Sequence, residues 1–224
     1  MLVYMTILVS FLFPSLVDSA DVGKGISLDS APNSVWMHVK CHKGVDMYER
    51  LVKINELQVR QRRGELIVDC DFDAVSKFLT TPQNMKLWMK GVKKANCMKS
   101  ESKNKWYIHT VYRLPWPFNN KEMISAFEFK RYATEKCVIH IQSIDSLMDV
   151  KSHKRSIRNL RGNWLITRID DRTTKIVFTL VCATPPMFPR WIQDPIIKSI
   201  FFKNMIRMKK QLSNLSGNKL YRFY

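Results

Sequence analysis

A chain of 224 residues with 46% hydrophobic side chains can bury one substantial core, and no Gly/Ser- or Pro-rich linker divides it, so one domain is the default expectation. The formal charge of +18 favours phosphate-bearing partners, anionic lipid headgroups or nucleic acid, without choosing between them. Cys41, Cys70, Cys97, Cys137 and Cys182 are odd in number, widely spaced and free of any CxxC, which points to neither a disulfide framework nor a zinc site; they read as small core hydrophobes on strands.

The N-terminus reads as an export signal. Met1 to Val17 carries no charged side chain, Ile7 to Phe13 is apolar but for Ser10, and the small residues Ser19 and Ala20 precede a polar stretch. Cleavage after Ser19 gives a signal peptide over 1–19, a lead-in over 20–33, and an exported mature protein, periplasmic or secreted. A retained anchor is the alternative, but spanning a bilayer takes about 20 apolar residues and this run is shorter.

Strands dominate the stretch from Val35 to Thr184. Val35 to Cys41 alternates, Val45 to Ile54 continues past the turn residue Gly44, and Leu57 to Val68 pairs with it through the basic stretch Arg60-Gln61-Arg62-Arg63. Asp71 stands in the capping position before Phe72, Val75, Phe78 and Leu79, which predicts a short helix ending near Thr80-Thr81-Pro82. A turn over Met85 to Trp88 leads on. Further strands are expected at Lys105 to Leu114, Met123 to Tyr132, Cys137 to Ile144, Asn163 to Asp170 and Lys175 to Thr184. Alternation puts Trp106, Ile108, Thr110 and Tyr112 on one face and Met123, Ser125, Phe127 and Phe129 on another, with Tyr107, His109, Arg113, Glu128 and Lys130 turned to water.

Between strands, Lys151, His153, Lys154, Arg155, Arg158 and Arg161 crowd an exposed basic loop. After Ala183-Thr184-Pro185-Pro186 comes a long helix. Trp191, Ile192, Ile196, Ile197, Ile200, Phe201, Met205, Met208, Leu212 and Leu215 recur at helical spacing, and Pro195 is expected to break or kink the first turn, leaving a main helix from Pro195 to Leu215. Its other side carries Lys198, Lys203, Arg207, Lys209 and Lys210, with Asp194 the only acid from Pro189 onward.

The order of these elements, with Val35-Trp36, Trp88, the Leu114-Pro115-Trp116-Pro117 corner, Lys121-Glu122-Met123-Ile124 and Pro189-Arg190-Trp191-Ile192, resembles the START domain, the lipid-transfer module of the helix-grip superfamily. The likeness spans about Ser34 to Ser213 and leaves a tail over 214–224. Many members carry Arg-Asp where this chain has Lys121-Glu122. The corner is sound physically: its prolines fix φ, and Asn119-Asn120 tolerates a turn beyond it.

The resemblance implies an α+β fold: a curved antiparallel sheet wrapped around the long C-terminal helix, with an internal apolar cavity for a single lipid-like ligand. Lining then falls to Trp106, Ile108, Thr110 and Tyr112, and to Ser125, Phe127 and Phe129. Ile139, Ile141, Trp164, Ile166, Phe178 and Leu180 continue the wall, and Met187, Trp191, Ile197, Ile200, Phe201 and Met205 close it. Lys154, Arg155 and Arg158 in the basic loop, with Lys198, Lys203, Arg207 and Lys210 on the helix, would dock on an anionic membrane surface. Sterol-carrying members use a buried acid and arginine at positions that fall near Ile108 and Phe127 here; both are apolar, so an acyl chain, polyisoprenoid or polycyclic hydrocarbon suits the walls better.

Catalytic signals are thin. There is no Gly-x-Ser-x-Gly elbow, Gly-rich phosphate loop or His-Glu-x-x-His, and His38 and His42 on one strand sit roughly 13 Å apart, too far to share an ion. The reading is therefore a monomeric binder and carrier without cofactor or metal. A cyclase or hydrolase using the same pocket, drawing on His109, His140, Tyr112 or Arg168, is the alternative. Nucleic acid is disfavoured because the aromatics alternate inward and do not line a basic groove.

Overall fold

The computed structural model describes residues 34–54, 57–113, 120–147, 156–183 and 189–217. The expected signal segment, the Leu-Pro-Trp-Pro corner, Lys154, Arg155, Met187 and the end of the tail lie outside them. The chain opens with β1 (Met37–His42), β2 (Val45–Ile54) and β3 (Leu57–Asp69), then leaves the sheet for α1 (Phe72–Thr80) and α2 (Met85–Trp88). It returns as β4 (Val92–Ser102), β5 (Lys105–Tyr112), β6 (Lys121–Ala133), β7 (Lys136–Ser143), β8 (Leu160–Arg168) and β9 (Thr173–Cys182), and ends in α3 (Arg190–Gly217). All pairings are antiparallel, in the order β1-β2-β3-β9-β8-β7-β6-β5-β4, so β9 comes home against β3 and the curved sheet grips α3.

Local chemistry explains most boundaries. Lys43 and Gly44 both have positive φ, as a tight two-residue hairpin requires, and Lys209 of α3 donates to the Gly44 carbonyl at 3.0 Å. The Asp71 carboxylate accepts the Ala74 amide at 2.8 Å and starts α1, whose Phe72, Val75, Phe78 and Leu79 are buried. Gly64 lets α3 lie close on β3, since a Cβ there would stand 2.8 Å from Met205 Cε and 3.0 Å from its Cγ. Phe201, Phe202, Met205, Met208 and Leu212 form the buried stripe of α3.

Three features depart from the expectation. β4 carries no apolar alternation: in Val-Lys-Lys-Ala-Asn-Cys-Met-Lys-Ser-Glu-Ser only Ala95 is buried, because an edge strand with little above it needs lysines that deter further pairing more than it needs core residues. Cys41 and Cys97 are exposed, on edge strands β1 and β4, unlike buried Cys70 and Cys137. Lastly, α3 runs through Pro195 unbroken. The carbonyl left without its donor belongs to Trp191, whose residue is 77% exposed, so water can replace the lost bond and the proline costs little so near the helix start.

Candidate functional site

Pairing fixes the inner face row by row. Phe129, Ile139, Trp164, Phe178 and Gly64 stand side by side across β6, β7, β8, β9 and β3, above a deeper row of Cys137, Ile166, Ile176 and Leu66. Here the rings are packed in series. Trp88 meets Trp164 edge-on at 5.6 Å, Trp164 stacks on Phe178 at 3.8 Å, and Phe178 stacks on Phe201 of α3 at 5.7 Å. Sheet and helix are thus joined by continuous aromatic contact at this closed end, and Ile139, Ile166, Phe178, Phe201 and Met205 belong to one buried core that also takes in Ile108, Phe127 and Ile141 of the neighbouring rows.

One row toward the other end the character changes. Trp106, Phe127, Ile141, Gly162, Leu180, Arg62 and Glu49 are cross-strand neighbours from β5 to β2, with Ile108, Ser125 and Ser143 in the next row. Trp106 and Leu180 are only half-buried although they face inward, as is Leu160 beside them, so solvent reaches this part of the interior. Ser143 accepts the Leu160 amide at 3.1 Å, but Thr110 Oγ1, Ser125 Oγ and Trp106 Nε1 are buried without any hydrogen-bond partner. Each such orphan costs about 1–3 kcal/mol, a penalty that a ligand oxygen or bound water would remove. Tyr112 lies beyond Thr110 on the same face; burial pushes its phenol above the ordinary value, and the Thr110 hydroxyl lies near enough to offset part of that effect without meeting hydrogen-bond geometry.

The structure also places in this interior a charged group that the sequence pattern assigns to a basic stretch. Arg62 Nε donates to Glu49 Oε1 at 3.0 Å, and the two side chains are only 10% and 7% exposed. Alternation could have found them, because Arg62 shares its face with Leu66 and Val68, and Glu49 shares one with Val45 and Met47. Burial pushes the guanidinium below its usual value, and the carboxylates of Glu49 and Asp194 counter that shift.

The first turns of α3 lie differently from the rest of the helix. Ile197 and Ile200 are 37% and 41% exposed, and with Trp191, Ile192 and Ile196 they make a solvent-facing apolar patch. Lys203, Arg207 and Lys210 are exposed beside it, while Lys198 is half-buried near Glu49 at 3.9 Å. Arg158 donates to Ser156 Oγ at 2.7 Å. The groups considered for catalysis do not converge: His109 pairs with Glu122 at 2.9 Å on the outer face, His140 is exposed, and Arg168 sits beside Asp73 and the Phe72 ring at the closed end. Among the described residues no group of three or more His, Cys, Asp or Glu could hold a metal ion.

A sequence model of the START domain matches residues 30–216. The chain is a START domain. Members of this family generally bind lipids or other hydrophobic molecules, and the nine-stranded sheet with its long closing helix is the fold of that family. It is similar to the STAR-related lipid transfer protein of Xanthomonas axonopodis, with a TM-score of 0.69 at 18% identity over 79% of this chain and 98% of that one. It is also similar to human StAR-related lipid transfer protein 5, with a TM-score of 0.66 at 15% identity over 80% and 87% of the two chains. An aromatase/cyclase, Zhui from Streptomyces, shares the fold at a TM-score of 0.54 and 11% identity over 73% and 97%. No curated protein matches the chain in sequence. At these identities the structural likenesses establish the fold alone.

Proposed function

We propose that this START domain holds one lipid-like molecule between α3 and the inner face of β5 to β9, and exchanges it at an anionic membrane. The observation that carries the reading is the set of orphaned polar atoms on an otherwise apolar wall, Thr110 Oγ1, Ser125 Oγ and Trp106 Nε1. A filled core has no use for them, whereas a bound amphiphile supplies acceptors and donors at little cost. Burial of the chain provides the affinity, at about 25 cal/mol per Å² of apolar surface covered.

The membrane half of the proposal rests on the start of α3. Trp191, Ile192, Ile196 and Ile200 present apolar surface next to Lys203, Arg207 and Lys210, a pairing suited to the boundary between headgroups and acyl chains. Among the described residues no helix is long and apolar enough to cross a membrane. We also propose, from the uncharged N-terminal run alone, that the protein is exported, which N-terminal sequencing of the mature chain would test.

The decisive assay is transfer of a fluorescent phospholipid between vesicles containing phosphatidylserine. Lys203→Glu with Lys210→Glu is expected to slow transfer about tenfold at low salt and leave the bound stoichiometry at saturation unchanged. Transfer at the wild-type rate rejects docking through α3. A pocket-based cyclase or hydrolase would instead show turnover that Tyr112→Phe abolishes.

A further inference from the structure

Under the first turns of α3, five charged side chains form one network. Arg60 Nε donates to Asp194 Oδ2 at 2.9 Å, Arg62 Nε donates to Glu49 Oε1 at 3.0 Å, and Lys198 Nζ stands 3.9 Å from Glu49 Oε2. Three cations face two carboxylates, Glu49 and Asp194, which leaves one positive charge unbalanced. The imbalance has a location. Arg62 Nη2 is buried and makes no hydrogen bond, and Asp194 Oδ1 stands 4.0 Å from it, beyond hydrogen-bond reach.

A buried guanidinium with one donor arm unused is expensive, because it has given up water there and received nothing in return. Arg62 holds its place because Glu49 and the packing of α3 over Gly64 fix it, and its cross-strand neighbour on the inner face is Leu180. From there the cross-strand row runs through Gly162, Ile141 and Phe127 to Trp106, five strand spacings or about 24 Å along the curved sheet. That wall is apolar and partly open, and it begins at a cation.

Building on the proposed lipid-binding function, we infer that the ligand is a single-chain amphiphile with an anionic oxygen head, a carboxylate or a phosphate, whose head is bound by Arg62 Nη2 and whose chain lies along Leu180, Ile141 and Phe127. The head supplies the missing negative charge and the missing acceptor together. A neutral alcohol of the same length supplies only a weak acceptor. Because Asp194 lies on α3 and Arg62 on β3, the head also occupies the joint that ties the start of the helix to the sheet.

The test compares binding of hexadecanoate, 1-palmitoyl-lysophosphatidate and hexadecanol to the purified, delipidated full-length protein by displacement of a fluorescent fatty alcohol. At least one anionic probe is expected to bind about tenfold or more tightly than hexadecanol, the gain typical of a charge-assisted hydrogen bond, and the tighter of the two identifies the head. Arg62→Gln should erase that preference and change hexadecanol binding less than about threefold. If Arg62→Gln does not fold, because Glu49 is left buried, the Arg62→Gln/Glu49→Gln double variant removes both charges and carries the same expectation. Glu49→Gln alone should strengthen the preference for the anionic head. Equal binding of all three probes to the wild type, or a preference that survives the double variant, overturns the assignment while leaving lipid binding intact. Failure of hexadecanol as well as both anions to bind overturns the underlying function.

Discussion

The two ends of the START interior are built from similar residues but satisfied differently. At the closed end, Trp88, Trp164, Phe178 and Phe201 touch in series, and among the described residues the polar atoms left without a partner are the indole nitrogen of Trp88 and, at the margin beside Asp73, Arg168 Nε. One row away, Leu180 and Trp106 are half-open, Thr110 and Ser125 bury hydroxyls that bond to nothing, and Arg62 keeps a donor arm free. The first arrangement maximises stability. The second gives some of it up, which is the pattern expected where a protein keeps room and polarity for something other than itself.

Substitutions should separate the two ends, and the largest effects belong to the closed one. Trp164→Ala removes the middle of the aromatic series and is expected to cost about 3–5 kcal/mol in urea unfolding, with a matching loss of cooperativity if α3 detaches. Gly64→Val drives a branched side chain into Met205, which already stands 2.8 Å from an added Cβ; about 1–3 kcal/mol should be lost as the helix is pushed off the sheet. Both variants should lower the thermal midpoint with or without lipid.

At the open end the same measurement should barely move. Thr110→Val and Ser125→Ala each remove a buried hydroxyl that has no partner, so the lipid-free protein should be unchanged or more stable by about 1 kcal/mol. Lipid affinity should fall in the same proteins. If instead these variants destabilise the lipid-free protein by more than about 1 kcal/mol, the hydroxyls are structural and the contrast between the ends disappears. The smallest sharpening concerns the fold's periphery: Asp71→Ala loses the cap on the Ala74 amide and should cost about 1 kcal/mol without touching lipid binding.

Much of this architecture is legible in the sequence. The alternation of β5 and β6 correctly puts Ile108, Phe127 and Met123 inside, and Asp71 announces α1, because burial of one sheet face and satisfaction of a helix end each leave a local pattern. β4 leaves none, since an edge strand is held by backbone bonds to β5 and asks nothing of its side chains. The spacing of Trp191, Ile197 and Ile200 announces an apolar helix face but not what covers it, and in the structure these residues meet solvent. Arg62 is hidden by its neighbours: Arg60 and Arg63 make it look like one member of a solvated basic run, although the pleat turns Arg60 and Arg62 toward α3 and pairs Arg62 with Glu49.

The central claim is that the interior accepts one lipid-like molecule. Native mass spectrometry of the protein purified from cells, with organic extraction as its second step, tests it most directly: the account predicts a single adduct of lipid mass that extraction removes and that incubation with vesicles restores. The bare polypeptide mass both on purification and after exposure to vesicles of mixed anionic and zwitterionic lipid would contradict it.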